Sequence, residues 1–254
     1  MSAALRAEWT KLRTVPSTGW LLLAVVAGTV ALGAAASAAV DPAHCATAAT
    51  CAEDPVRTAL TGVWLGQALV IVLAVVAVTN EYGSGLIRTT LAATPVRPRV
   101  LAAKVVVVTA AGLAAGAAGV AGSLLAGRAL LPAGALALTD ATTLRAAAGT
   151  VAYLGLVAAF STGVAVLVRD TAAATAVALS VFYVAPTVER FVSDPDWLER
   201  LQRFSPSSVV RAVQTTVDTT VLPVGAWTAL GVLAVYTAAA VAAATAAFAV
   251  RDAG

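Results

Sequence analysis

Charge is what this chain of 254 residues has least of: Asp, Glu, Lys and Arg together make up 11% of it, against about 25% in a soluble domain. Apolar residues make up 60% and mean hydropathy is +0.90, which excludes an ordinary soluble fold and points to an integral membrane protein. Two cysteines cannot build a disulfide framework, and a single histidine leaves little material for a metal or redox centre. No P-loop of the form GxxxxGKS or GxxxxGKT occurs, so the chain does not by itself bind a nucleotide in that manner. One histidine and two nearby cysteines do not assemble a nucleophile, base and orienting group. No catalytic residue and no metal ligand are therefore expected.

What is present is a series of apolar runs near 20 residues long, each able to cross a hydrocarbon core of about 30 Å at 1.5 Å per residue. The fold expected is all-α: one transmembrane domain over residues 1–254, with membrane spans at 19–40, 57–79, 100–126, 146–168, 171–188 and 224–250. The central part of each span lacks Asp, Glu, Lys, Arg and His. That argues against proton- or ion-coupled transport and against a charged selectivity ring. A polar translocation path would have to be lined by neutral groups such as Gln67, Thr109, Ser123, Ser161 and Ser180. Gly112 and Gly116, four apart on the third span, permit close helix approach; in a chain this rich in alanine, the pairing does not by itself mark a dimer face.

Ahead of the first span, residues 1–16 place Leu5, Trp9 and Leu12 at helical spacing, with Lys11, Arg13 and Arg6 around them. This reads as an interfacial helix with Trp9 at headgroup depth, the alternative being an ordinary basic flank. Glu8 and the long apolar run that follows are wrong for a cleavable signal peptide. The loop from Asp41 to Val56 carries His44, Cys45 and Cys51. On an oxidising exterior the two cysteines can pair, while the three residues fall short of a four-ligand metal set. Arg169 and Asp170 mark a tight turn between the fourth and fifth spans. The stretch 189–223 is long enough for two short amphipathic helices, one starting at Asp194 and Pro195 with Trp197, Leu198, Leu201 and Phe204 on one side, and one near Pro206. These are expected to be re-entrant or interfacial.

The most distinctive segment is NEYGSGLIRTTLAATPVRPRVLAAK, from Asn80 to Lys104, a basic interruption between two apolar runs. Within its loop, residues 80–99, a short helix from Leu86 to Ala93 is expected, ended by Pro95. With the N-terminus inside, nine Lys and Arg fall on the interior (Arg6, Lys11, Arg13, Arg88, Arg97, Arg99, Lys104, Arg169 and Arg251) against seven outside. Four acids fall inside and nine outside. The first span carries its cations ahead of it. Both termini are therefore expected in the cytoplasm.

The N-terminal AEWTKLRTVPST, the EYGSGLIRTTLAATPVRPRVLAAK segment and the FSPSSVV stretch before the last span resemble the permease subunits of type-2 ABC exporters, in particular alanine-rich actinobacterial ones. The resemblance runs in order along essentially the whole chain. It implies a multi-pass subunit of the bacterial plasma membrane, with a coupling helix between the second and third spans that docks on a separate ATP-binding subunit. The contact residues implied are Glu81, Tyr82, Leu86, Ile87, Arg88 and Leu91, with Arg88 and Glu81 making the polar contacts. ATP and Mg would be held by that partner and no cofactor by this chain. A second permease copy or paralogue would complete the transporter, and no nucleic acid is involved. The cargo expected is amphipathic or lipid-like, because the spans offer only neutral polar groups. The cysteine loop matches no part of this pattern. Readings of another class are a membrane anchor or scaffold and a neutral-solute channel; a P-loop ATPase encoded beside this chain would favour the exporter.

Overall fold

The computed structural model describes residues 2–41, 54–86, 96–189, 191, 194, 197–198, 205–206, 208–217 and 224–250. Among them every regular element is helical: α1 (Ser2–Thr14), α2 (Pro16–Ala38), α3 (Pro55–Ala59), a 3-10 turn (Leu60–Gly62), α4 (Val63–Gly83), α5 (Arg97–Leu130), α6 (Ala141–Val168), α7 (Thr171–Glu189), α8 (Ser208–Gln214) and α9 (Ala226–Val250). Six stretches are long and apolar enough to cross a membrane: Pro16–Ala38, Pro55–Gly83, Arg97–Leu130, Ala141–Val168, Thr171–Val188 and Ala226–Val250. This is the architecture of a multi-pass membrane protein.

Several helices outrun the spans that hydropathy marks. α5 extends past 100–126 at both ends, and α6 starts five residues before 146. Hydropathy reports where lipid is crossed, whereas a helix continues while its backbone groups find partners and stops where proline or a cap intervenes. Thus α1 ends one residue before Val15, which is held extended ahead of Pro16, the first residue of α2. α5 carries Pro98 in its first turn, where the missing N–H has no helical partner to lose. Between α6 and α7 the turn is the two residues Arg169 and Asp170. Arg169 takes the left-handed conformation (φ 63°), and Asp170 Oδ1 accepts the Ala173 amide at 2.8 Å.

α6 is the hub and packs against α4, α5, α7, α8 and α9. Tyr153, Phe160 and Phe182 stack edge to face in its core contact with α7. By contrast α2, α7 and α9 turn large apolar side chains outward, among them Trp20, Leu23, Val184, Trp227 and Val235, a surface that suits lipid and not water. Where α2 meets α4 and α5, small residues let backbones approach. A Cβ on Gly62 would sit 1.8 Å from the Thr29 carbonyl oxygen, and one on Gly66 would sit 2.3 Å from Thr29 Oγ1. Ser123 on α5 donates to that same carbonyl at 3.0 Å. Gly112 and Gly116 are used inside the chain, against Ala158 and Leu154 of α6.

Polar contacts tie the helices at both ends. On the face holding α1, Arg97 Nη1 donates to the last carbonyls of α9, Phe248 and Ala249, at 3.3 and 3.2 Å, where the helix dipole favours a cation. On the opposite face Asp54 caps α3 through Val56 N and Arg57 N at 3.0 and 3.2 Å. The same carboxylate accepts from Val217 N at 3.1 Å, from Thr216 Oγ1 at 2.8 Å and from Thr216 N. Arg145 Nη2 adds a bond to Thr215 O at 2.7 Å, so α8 is pinned over the ends of α3 and α6.

Candidate functional site

The densest charged constellation among the described residues lies where α1 meets the end of α4 and the beginning of α5. α1 packs on α5 and α2. Its inward face carries Glu8, 6% exposed, with Lys11 one turn further on. Glu81 is in the last turn of α4 and Lys104 in the second turn of α5, 6% and 4% exposed. Lys104 Nζ donates to Glu8 Oε2 at 2.9 Å and to Glu81 Oε1 at 2.5 Å. Lys11 Nζ donates to Glu8 Oε1 at 2.7 Å and to Glu81 Oε1 at 3.1 Å. Two ammonium groups and two carboxylates thus alternate in a closed ring. Glu81 Oε2 is buried and accepts no hydrogen bond.

Electrostatics in the ring follow from burial set against proximity. Burial alone would raise the Glu8 carboxyl, but Lys104 and Lys11 outweigh it and hold the group below its ordinary range. Burial would lower the Lys11 ammonium, but its hydrogen bond to Glu8 and the charges of Glu8 and Glu81 raise it above the ordinary range. Both groups are therefore charged across the neutral pH range. The ring is formally neutral, which is the condition under which charges persist away from water.

Beside the ring is a cavity of about 520 Å³. Its lining combines the charged Glu8, Lys11 and Glu81, the neutral polar Thr18, Thr79, Asn80, Ser84 and Thr171, and the apolar Leu21, Leu73, Val76, Val107 and Val108. Val15 and Leu86, 40% and 51% exposed, also line it, so it reaches the molecular surface.

The residues singled out from sequence are distributed as follows. Glu81, expected to meet a partner, is buried in this chain, where Lys11 and Lys104 hold its carboxylate. Lys11, expected on a basic rim, turns inward for the same reason, while Arg13 stays exposed. Leu5 is half-buried and Leu12 lines the cavity. Trp9 is 50% exposed. The Tyr82 ring lies 5.2 Å from the Arg169 guanidinium carbon, a cation–π contact. Ile87, Arg88, Leu91, His44, Cys45, Cys51, Leu201 and Phe204 fall outside the described residues. Trp197 and Leu198 are helical, and Asp194 O accepts the Leu198 amide at 2.9 Å.

The five neutral groups proposed for a path do not converge on the cavity. Gln67 accepts the Tyr153 hydroxyl inside the bundle, and Ser123 is committed to Thr29. Ser180 is exposed on α7 and bonds its own helix at 2.7 Å. The Thr109 and Ser161 hydroxyls are buried without a hydrogen-bond partner. Sequence reasoning missed Glu8 and Lys104 as partners. The available signal was an acid in a basic helix and a lysine set among the valines and alanines of α5.

No protein-family model matches the chain, and no curated protein matches it.

Proposed function

We propose that this chain is the membrane-spanning permease subunit of an ATP-driven exporter of the type-2 ABC class, working with a separate ATP-binding subunit and a second permease copy or paralogue. The observation that carries the reading is the charged ring. Segment 87–95 joins the end of α4 to the start of α5, and Glu81 and Lys104 clamp those two helix ends to each other and to α1. A push on that segment therefore moves three helices as one body. A loop hanging from unclamped helix ends would absorb the push.

In this reading the face bearing α1 is cytoplasmic, both termini lie inside, and ATP with Mg is bound by the partner. ATP-driven closure of the partner subunits displaces segment 87–95, and the clamped ends of α1, α4 and α5 carry the displacement into the membrane helices. Leu86, exposed at the start of the segment, is the apolar anchor for the partner. The test is co-purification. Replacing Leu86 and Ile87 by aspartate should leave the chain inserted in the membrane but abolish its recovery with a P-loop ATPase encoded beside it. Recovery at the wild-type level would refute the docking.

A further inference from the structure

The cavity beside the ring is lined by charged, neutral polar and apolar side chains. Among the described residues, the charged groups facing the space are two carboxylates, Glu8 and Glu81, and one ammonium, Lys11. Lys104, which balances the ring, is 4% exposed and stands behind the carboxylates, outside the wall. The wall itself therefore carries one more carboxylate than ammonium, within a ring that is neutral as a whole. Glu81 is more than nine-tenths buried, and its Oε2 accepts no hydrogen bond. A buried carboxylate oxygen left in that state calls for a donor. The last torsion of a glutamate is broad and roughly two-fold, so a small turn of the carboxylate presents that oxygen to the cavity. Leu21, Leu73, Val76, Val107 and Val108 supply apolar wall, and the neutral polar residues lining the same space include Thr18, Ser84 and the pair Thr79 and Thr171, whose hydroxyls bond each other. A volume of about 520 Å³ is within the range of sites that enclose one small ligand, about 300–1,000 Å³.

We propose that this cavity binds a cationic amphipath, its ammonium head donating to the Glu81 carboxylate and its single alkyl chain running between α2, α4 and α5. The exporter reading leaves the cargo at an amphipathic compound; the site narrows it to a primary amine with one chain in reach, and the inference rests on that reading only for the name cargo. An ammonium supplies both the missing donor and the positive charge. An alcohol supplies the donor alone, and an alkyl sulfate brings a second anion to the carboxylates.

The test uses the full chain, without any ATPase, in nanodiscs of phosphatidylcholine. A dodecylamine carrying a diazirine on its chain is photolysed there, and labelled peptides are mapped by mass spectrometry. Labelling is expected on the peptides holding Leu73–Ala77 and Val107–Val108. Excess decylamine should reduce it at least about tenfold, the factor corresponding to about 1.4 kcal/mol, while decyl sulfate should leave it unchanged. E81Q replaces the unpartnered oxygen by a donor and should lower labelling by a similar factor. Ala77→Phe fills the cavity wall one turn from Glu81 while keeping all four ring residues, and should abolish labelling, so the outcome does not depend on E81Q folding. In discs containing phosphatidylethanolamine, loss of amine labelling identifies a lipid headgroup as the source of the ammonium, and its retention identifies a separate amphipath; either result supports the site. Equal competition by decyl sulfate, or undiminished labelling in Ala77→Phe, would overturn it. Failure here with intact co-purification of the ATPase removes the pocket and leaves the exporter reading, and the converse result does the opposite.

Discussion

Lys104 is the residue on which the ring most depends, and its replacement by methionine keeps the length of the side chain while removing its charge. Its ammonium is the shared donor for Glu8 Oε2 and Glu81 Oε1, at 2.9 and 2.5 Å, with its side chain 5% exposed. Lys104→Met changes the formal charge of the ring from zero to minus one and leaves two buried carboxylates facing Lys11 alone. Removing one partner of a buried pair costs about 3–5 kcal/mol, because the remaining charge is buried and uncompensated. Lys11 makes the same number of contacts to the two carboxylates, but its side chain is 32% exposed. Water takes up much of what Lys11→Met removes, and the expected loss is about 1 kcal/mol.

Thermal unfolding in detergent micelles measures both variants, and the double variant E81Q/K104M should recover most of the loss by restoring neutrality. The pH dependence gives a second reading. Glu8 is held below its ordinary range in the folded state, so its contribution is present above the ordinary carboxylate value and is lost as pH falls through the depressed folded value. Lys104 is the largest of the attractions that hold it there. In Lys104→Met the carboxyl therefore takes up its proton at higher pH, and the gap in stability between variant and parent should narrow on acidification. The remaining groups facing Glu8, Lys11 and Glu81, are unchanged in that comparison. Equal losses for Lys11→Met and Lys104→Met, or a gap that widens in acid, would refute the account of a closed, buried ring.

Gly66→Ala places a Cβ 2.3 Å from Thr29 Oγ1 and should destabilise the fold by about 1–3 kcal/mol; Thr29→Ala should rescue it but not Gly62→Ala, whose clash is with the Thr29 backbone oxygen, and thermal unfolding of the double variants distinguishes the two. Asp54→Ala removes a helix cap and the bonds to Thr216 and Val217 together, so a loss of about 2–4 kcal/mol and faster hydrogen exchange at the Thr216 and Val217 amides are expected. Arg169→Ala keeps a left-handed backbone on a residue with a Cβ and loses the Tyr82 contact. Arg169→Gly loses the contact but relieves the backbone, and should be more stable than the alanine variant by about 1 kcal/mol in the same unfolding assay.

The sequence made the membrane helices legible because hydropathy sums over about twenty residues and tolerates local errors. It made the Arg169–Asp170 turn legible because two charged residues between apolar runs leave only one place to reverse. The ring was not legible for a physical reason. Glu8, Glu81 and Lys104 are each an ordinary charge near the end of an apolar run, and nothing in a linear pattern says whether such a side chain points to water or to another helix. The Glu81–Lys104 pair needs α4 beside α5, and the ring closes only once α1 lies against α5, a contact between residues 96 positions apart. Asp54 is an intermediate case. Asp before Pro at a helix start is readable as a cap, but the second use of its carboxylate, by Thr216 and Val217, depends on the distant placement of α8.

The contrast between the two kinds of contact bears on why the charges are kept. Gly62, Gly66, Gly112 and Gly116 give helix contacts with little side-chain relief, and such surfaces specify closeness better than they specify register. Buried ion pairs seldom stabilise a fold more than well-packed apolar residues would. They do penalise displacement: a shift of α4 against α5 by one helical turn, about 5.4 Å, exceeds the length of the Lys104–Glu81 bond and leaves buried charges facing apolar neighbours. The ring therefore fixes the relative height of three helix ends where the small residues alone would not. In the exporter reading proposed above, a fixed height at the two ends of segment 87–95 is what a mechanical input would require, because without it motion of the segment would be lost in slippage between α4 and α5.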